Sequence, residues 1–111
     1  MEITYTEFKR CDLVKADGRI DSATAPKLQD ALTAITDVGR FKIVIDLAGT
    51  NFISSAGLRV LVNSQKNCKR YNRGEVVLSA VPSNIYAALD LVGFIPLFKI
   101  YDNITSAVGS F

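Results

Sequence analysis

Histidine is absent from this chain of 111 residues. Its absence excludes Ser-His-Asp and Cys-His catalytic arrangements and removes the ligand that most zinc sites use. The two cysteines, Cys11 and Cys68, lie far apart in the sequence and lack the short spacing of a metal-binding pair. We therefore expect both to be small buried apolar residues. We expect no catalytic residue, no metal and no cofactor.

Several kinds of segment are also missing. No GxxxxGK[ST] loop is present, which argues against a small nucleotide-binding or hydrolytic domain. No run of residues approaches the roughly 20 apolar residues of a membrane span. The first residues lack the basic start and apolar run of a secretory signal. These absences lead us to expect a cytoplasmic protein that does not contact the membrane.

The chain has no large excess of charge of either sign. It contains 13 basic and 11 acidic residues, which give a formal net charge of +2. Such a balance argues against direct binding of nucleic acid. A local basic cluster, Lys66, Lys69, Arg70 and Arg73, indicates a solvated helix face or a contact with an acidic partner. Apolar residues make up 49% of the chain, which argues against disorder and, at this length, predicts one domain over residues 1–111.

The central stretch of the chain predicts a strand, a loop and a helix. The nearly continuous apolar run from Phe41 to Leu47 is typical of a strand that is covered on both faces. Residues 48–54 contain Gly, Thr, Asn and Ser, which favour a loop. From Ser55 onward the apolar period becomes helical. The loop therefore delivers Ser54 and Ser55 to the amino end of a helix.

The remaining patterns extend this alternation. They predict an initial hairpin of residues 3–9 and 13–16, which a tight connection at residues 10–12 joins, and an Asp17-Gly18 turn that ends its second strand. Later strands are predicted at 75–80 and 97–101. Helices are predicted around residues 24–38, 55–71, 83–92 and 103–109, the first with Thr24 as its amino-terminal cap and Gly39 at its end. The order β-β-α-β-α-β-α-β-α predicts an α/β domain with a four- to five-stranded mixed sheet, because parallel strands need a helical crossover.

A serine in front of a helix is usually a cap, which contributes about 1 kcal/mol. The free backbone N–H groups at a helix start can also stabilise an anion. Residues 46–61, DLAGTNFISSAGLRVL, resemble the signature of the STAS domain of bacterial anti-sigma factor antagonists. The matching elements are Asp46-Leu47, then Phe52-Ile53, then the two serines before Gly57-Leu58. The specific resemblance covers residues 44–61, and a weaker pattern covers about residues 3–109.

The resemblance implies a binding module rather than an enzyme. In such antagonists a serine at the start of this helix is phosphorylated. The unphosphorylated form binds an anti-sigma factor that is also a serine kinase, and a serine phosphatase reverses the modification. We expect the protein to be a monomer that does not associate with itself. Its expected partners are the anti-sigma factor kinase and the serine phosphatase. We predict a partner-binding set at this end of the domain: Asp21, Asn51, Ser54, Ser55, Ala56, Gly57 and Arg59. For Asp21 the alternative is a structural role as a cap of the first helix.

One departure from the family pattern leaves the modified residue open. The usual acceptor position, directly before Gly57, holds Ala56, and Ser54 stands where the family has Asp. Ser55 is our predicted phosphorylation site, and Ser54 is the alternative. A third alternative is a STAS accessory subunit without a phosphoswitch, for example in a lipid transporter complex. Gly57 either allows close approach of a partner or allows close packing of the helix on a strand.

Overall fold

The computed structural model describes residues 1–111 as an α/β domain with one six-stranded sheet and four α-helices. The strands are β1 (Glu2–Glu7), β2 (Asp12–Ile20), β3 (Lys42–Asp46), β4 (Thr50–Ile53), β5 (Glu75–Ser79) and β6 (Lys99–Tyr101). The helices are α1 (Ala25–Asp37), α2 (Ser55–Lys69), α3 (Ser83–Leu91) and α4 (Ile104–Gly109), with short 3-10 turns at Arg70–Asn72 and Ile95–Leu97. The predicted fold class and all four predicted helices are confirmed.

The sheet is mixed, with a parallel core. Its strand order is β1-β2-β3-β5-β6, and β4 pairs with β2. Only β1 runs antiparallel to its neighbour, whereas β2, β3, β5 and β6 are parallel in succession. The sheet therefore has one edge where the parallel strands begin and one where they end. We call these the amino edge and the carboxyl edge.

The strand count differs from the prediction, because part of the predicted loop is a strand. Thr50–Ile53 form β4, which pairs in parallel with the last three residues of β2. Gly49, directly before the strand, and Thr50 and Asn51 within it favour a loop locally. The pairing partner lies some 30 residues earlier, and a local pattern does not reveal it. The sheet therefore has six strands, rather than four or five.

Strand β2 is also longer than predicted. The Asp17-Gly18 pair lies inside the strand, whereas the sequence predicts a turn that ends it at Ala16. Gly18 has a φ of +104°, and the register of pairing with β4 shifts between Gly18 and Arg19. A β-bulge explains both observations, since it bends a strand without ending it. The extension carries Arg19 and Ile20 to the carboxyl edge.

Helices cover both faces of the sheet. Along β3, Ile43 and Ile45 join the larger core, which also includes the buried residues of α1, α2 and α3. Val44 points the other way and joins a smaller cluster with Ala107 of α4. The alternation confirms that this strand is buried on both faces. The buried positions of Cys11 and Cys68 are confirmed too.

The start of α1 is held by a residue that precedes the predicted cap. Thr24 occupies the cap position, but its side chain makes no capping bond. Instead, Asp21 Oδ1 accepts hydrogen bonds from the backbone N–H groups of Ala23 and Thr24, at 3.0 and 3.1 Å. Gly39 follows the helix with a φ of +83°, a conformation that suits the predicted glycine at the helix end.

None of the four helices has the length and apolar character that crossing a membrane requires.

Candidate functional site

The start of α2 is fixed by the sheet. Strand β4 ends at Ile53, and the N–H of Ser54 donates to the carbonyl of Ile20 at 2.8 Å. This bond continues the pairing of β4 with β2 for one more residue. Ser54 then has extended backbone angles, with φ −91° and ψ 174°, and the helix begins at Ser55. The helix start therefore lies at the carboxyl edge, where partners and ligands of open α/β sheets gather.

The two serines have different surroundings. Ser54 is half-buried, and its hydroxyl oxygen accepts a hydrogen bond from the Gly57 N–H at 3.3 Å. Ser54 is therefore the amino-terminal cap of α2. Ser55 is exposed, and its hydroxyl has no hydrogen-bond partner within the protein. The geometry thus separates a capping serine from a serine whose hydroxyl faces solvent.

Gly57 lies where the helix touches the sheet. A Cβ atom at this position would lie 2.6 Å from Ile20 Cγ2 and 2.7 Å from Ile53 Cγ1. Such distances are well inside van der Waals contact, so a larger residue would push α2 away from β2 and β4. Gly57 is also buried. Of the two interpretations of this glycine, the contacts support close packing of the helix.

Two grooves flank the exposed face of α2, and Arg59 lines both of them. The groove between α1 and α2 has a volume of about 330 Å³ and is lined by Ser22, Ala25, Pro26, Gln29, Asp30, Ala56, Arg59, Val60 and Asn63. The groove between α2 and the end of α3 has a volume of about 310 Å³ and is lined by Ser55, Leu58, Arg59, Val62, Asn63, Lys66, Val92 and Phe94. Ser55 thus lines the groove between α2 and α3, and Ala56 lines the groove between α1 and α2.

Arg59 is exposed and lies one helical turn after Ser55. It takes part in none of the salt bridges of the domain. Near the α2–α3 groove, Leu91 and Val92 are 87% and 47% exposed. A cation without a partner and an apolar rim thus lie beside the solvent-facing serine. Aromatic and apolar contacts with a few charges at the rim are the usual composition of a protein interface.

Asp21 and its neighbours form a second polar group at the carboxyl edge. The backbone N–H of Thr24 donates to the Asp21 carboxylate and is the main cause that lowers the pKa of this carboxyl group below its ordinary value. Arg19 Nε lies 3.7 Å from Asp21 Oδ2, and its guanidinium carbon lies 4.2 Å from the centroid of the Phe52 ring. Phe52 is 38% exposed.

The sequence pattern alone does not indicate that Arg19 and Phe52 lie together beside Asp21. The signal that could have found Phe52 is a large aromatic residue in an otherwise polar stretch. Arg19 could not be found in this way, because it meets Phe52 only through the pairing of β2 with β4.

Asn51 and Asp46 have identifiable structural contacts. Asn51 is exposed, and its carbonyl accepts a hydrogen bond from Asn84 Nδ2 at 3.0 Å, which ties β4 to the start of α3. Asp46 is buried, and its carboxylate accepts from the Ala48 N–H at 3.2 Å and lies 3.9 Å from Lys15 Nζ. Asp46 therefore shapes the connection between β3 and β4.

The structure brings the predicted residues together around the amino end of α2. Ser54 caps α2, and Ser55, Ala56 and Arg59 lie on its first turns. Asp21 directly follows β2, and Asn51 lies in β4, which pairs with β2. Gly57 lies beneath them, in the packing layer. No cluster of three or more Cys, Asp or Glu side chains could hold a metal ion. The arrangement offers hydrogen bonds, one unpaired cation and a reachable hydroxyl.

Comparison with known proteins gives a consistent result. The chain is 29% identical over 111 residues to BtrV of Bordetella bronchiseptica, a protein assigned provisionally as an anti-sigma factor antagonist; the match covers 100% of this chain and 95% of that protein. An anti-sigma factor antagonist from Mycobacterium paratuberculosis has the same fold, with a TM-score of 0.87 and 24% identity over 98% of this chain and 92% of that one.

A transporter contains the same fold. The mouse anion transporter Slc26a9 superposes with a TM-score of 0.76 and 14% identity, over 95% of this chain and 18% of the transporter. The model that describes the STAS domain matches residues 2–107, and the chain therefore belongs to the STAS domain family.

Proposed function

We propose that this protein is an anti-sigma factor antagonist that works by partner switching. In its unmodified form it binds an anti-sigma factor with serine kinase activity, through the surface around the amino end of α2. That partner phosphorylates Ser55, and the phosphate ends the binding. A metal-dependent serine phosphatase removes the phosphate and restores the binding form. The protein itself carries out no catalysis and regulates transcription indirectly, without contacting nucleic acid.

One observation carries the choice of Ser55. Its hydroxyl is exposed and has no hydrogen-bond partner, whereas the Ser54 hydroxyl is half-buried and accepts the Gly57 N–H. A kinase must bring the acceptor oxygen in line with the transferred phosphoryl group, and this requires a side chain that can turn outward. Moving Ser54 outward would cost the cap of α2. Moving Ser55 outward costs no internal hydrogen bond.

The phosphorylation step is a simple transfer. The Ser55 oxygen attacks the terminal phosphorus of ATP, the bond from that phosphorus to the bridging oxygen breaks, and ADP leaves. A base on the kinase takes the hydroxyl proton. The reverse arm is a hydrolysis, in which water attacks the phosphorus and inorganic phosphate leaves the restored hydroxyl. The antagonist therefore has to supply only a positioned hydroxyl.

The domain itself tolerates the phosphate. The free N–H groups and the dipole at the start of α2 stabilise an anion. Arg59 lies four residues later on the same helix face, at a spacing that suits an ion pair with a phosphate on Ser55. The fold is therefore retained, while the surface changes from one unpaired cation to an excess of negative charge. A partner that meets this surface must then desolvate about two negative charges, which weakens binding.

A binding experiment tests this account with a matched control. The partner in this experiment is the cognate anti-sigma factor kinase, and its affinity is measured calorimetrically without ATP. Ser55→Asp adds a carboxylate to the first turn of α2 and should weaken binding about ten-fold or more, while Ser55→Ala should bind like the wild type. Thr105→Asp adds the same charge to the first turn of α4, on the opposite face of the sheet, and should leave affinity unchanged. Equal affinities for all four proteins would contradict the proposal.

Ala56 favours a second candidate function. The position directly before the glycine, where the family usually has its acceptor serine, holds a residue that cannot be phosphorylated. A STAS domain that binds its partner constitutively, as an accessory subunit, would need no acceptor at all. Under this alternative Ser55→Asp would disturb partner binding only through local contacts, and an active kinase would leave the wild type unlabelled.

A further inference from the structure

The amino edge of the sheet carries a cleft with a mainly cationic lining. Its volume is about 180 Å³, and the charged residues that line it are Arg10, Asp12, Arg40, Lys42 and Arg73. These residues come from the β1–β2 turn, the start of β2, the approach to β3 with its first residue, and the turn after α2. Helix α2 has 15 residues and is about 22 Å long. The cleft therefore lies at the opposite end of the domain from Ser55.

Only one of the four cations in the cleft is neutralised. Arg40 Nε donates to the carboxylate of Asp12, which is fully buried, at 2.6 Å. None of the salt bridges of the domain involves Arg10, Lys42 or Arg73. Three positive charges thus face one small concavity without a carboxylate partner. Clefts lined by charges of one sign concentrate oppositely charged ligands.

Arg73 is held in place before any ligand arrives. Its guanidinium carbon lies 3.8 Å from the centroid of the Phe41 ring. Its Nε donates to the Arg70 carbonyl at 3.0 Å, and its Nη2 donates to the Asn67 carbonyl at 2.6 Å. Nη1 makes no hydrogen bond within the protein. A stacked guanidinium with a fixed plane and free N–H groups is well suited to binding an oxyanion.

Arg40 is fixed in a similar way. Its Nη2 donates to the carbonyl of Phe8 at 2.7 Å, while Nε contacts Asp12 and Nη1 makes no hydrogen bond within the protein. The guanidinium groups of Arg40 and Arg73 therefore each have an Nη1 group that is available to donate hydrogen bonds to a ligand. Because their side chains are already ordered, little conformational entropy is lost when an anion binds.

The turn that places Arg73 has strained backbone angles. Tyr71 and Asn72 are consecutive non-glycine residues in the left-handed region, with φ of 58° and 56°. Such conformations persist only where the surroundings hold them, and they concentrate at ligand clamps and switch regions. The turn reverses the chain after α2 and brings Arg73 back onto Phe41. Arg73 also donates hydrogen bonds to carbonyl groups at the end of α2. Replacing it would therefore affect folding as well as ligand binding.

The geometry points to a phosphate-binding site in this cleft, for inorganic phosphate or pyrophosphate or for the phosphates of a small organic molecule. Arg10, Lys42 and Arg73 supply the positive charge, and Arg40 and Arg73 supply fixed N–H donors. The cleft volume suits the phosphates alone. The remainder of an organic ligand would extend toward Tyr71, which is 84% exposed and whose ring centroid lies 5.8 Å from the Arg73 guanidinium carbon. The site is independent of the proposed function.

Titration of the full chain with pyrophosphate at constant ionic strength tests the site. Backbone amide shifts are followed by NMR, and the amides of Arg10, residues 39–42 and residues 73–74 should shift along one saturable curve. The double variant Arg10→Gln/Lys42→Gln removes two exposed side chains that make no hydrogen bonds or salt bridges, and it should weaken binding about ten-fold or more. Lys27→Gln/Lys66→Gln removes the same charge outside the cleft and should leave affinity within about two-fold of the wild type.

The remaining arms decide the source of the phosphate. A nucleoside diphosphate that binds more tightly than pyrophosphate, and loses this advantage in Tyr71→Ala, would assign the site to an organic ligand. Equal affinities would assign it to inorganic anions. Non-saturating shifts, shifts spread over the whole surface, or equal weakening in both double variants would overturn the proposal, because each describes general attraction to a basic surface.

Discussion

The hydroxyl oxygen of Ser54 lies 3.3 Å from the backbone nitrogen of Gly57, and the hydroxyl of the adjacent Ser55 has no such bond. Adjacent serines thus have different tasks. One ends the strand-to-helix transition and satisfies a helix N–H group, and the other is free for a partner. The proposed switch rests on this division.

Ser54→Ala should therefore destabilise the protein more than Ser55→Ala does. The first substitution removes an amino-terminal cap and should lower the free energy of unfolding by about 1 kcal/mol. The second changes an exposed hydroxyl and should stay within about 0.5 kcal/mol of the wild type. Urea denaturation of the three proteins measures both values. A larger loss at Ser55 than at Ser54 would transfer the capping role to Ser55.

Gly57→Ala should be clearly destabilising, since its Cβ would meet Ile20 and Ile53 at 2.6 and 2.7 Å. Overpacking of this kind costs about 1–3 kcal/mol. Gly109→Ala is the matched control. Gly109 is the last residue of α4, and apart from its chain neighbours and the backbone of its own helix no atom lies within 4 Å of the position of its missing Cβ. The control should be neutral or slightly stabilising because alanine favours a helix. Equal thermal stabilities for the two variants would contradict the packing role of Gly57.

The pH dependence of stability should reveal Asp21. The N–H of Thr24 and neighbouring donors lower the pKa of this carboxyl group in the folded protein. A lowered pKa means that its stabilising contribution is present above the unfolded value, near pH 4, and is lost as the pH falls through the folded value. The stability difference between the wild type and Asp21→Asn should be constant near neutral pH and shrink below about pH 4. A difference that is unchanged down to pH 2 would refute this assignment.

Tyr5 should lose its phenolic proton only at high pH. Its hydroxyl donates to the Asp12 carboxylate at 2.6 Å, and this hydrogen bond is the main cause that raises the pKa of Tyr5 to about 12. The stability contribution of the phenol is complete below the unfolded pKa, near 10, and is lost as the pH rises through about 12. Ultraviolet titration should show a tyrosine signal near pH 12 that disappears in Tyr5→Phe. A late titration that persists in the variant would assign the signal to another residue.

Local patterns predict the helices of this domain well. The ends of α1, α2 and α3 lie within about two residues of the predicted ones, because apolar periodicity and capping are properties of neighbouring residues. Strand β4 and the second half of β2 could not be predicted in this way. Each exists because the other lies beside it. Gly18 inside β2 and Gly49 directly before β4 locally favour turns.

The surface at the start of α2 and the cleft at the amino edge also differ in whether local sequence patterns can predict them. Ser55 and Arg59 belong to one continuous motif, so a family resemblance is enough to select them. The cleft at the amino edge joins Arg10, Arg40, Lys42 and Arg73 from three separate parts of the chain. Charge counting over the sequence averages such a cluster with acidic residues elsewhere. Only the arrangement of strand starts at one edge brings these side chains together.

The most direct test of the account is the position of the phosphate. The wild type, Ser54→Ala and Ser55→Ala are incubated with ATP and the anti-sigma factor kinase, whose activity is verified by its ATP turnover, and the products are mapped by mass spectrometry. Phosphate is expected on Ser55 in the wild type and in Ser54→Ala, and none is expected in Ser55→Ala. Phosphate that survives in Ser55→Ala and disappears in Ser54→Ala, or a wild type that an active kinase leaves unlabelled, would contradict it.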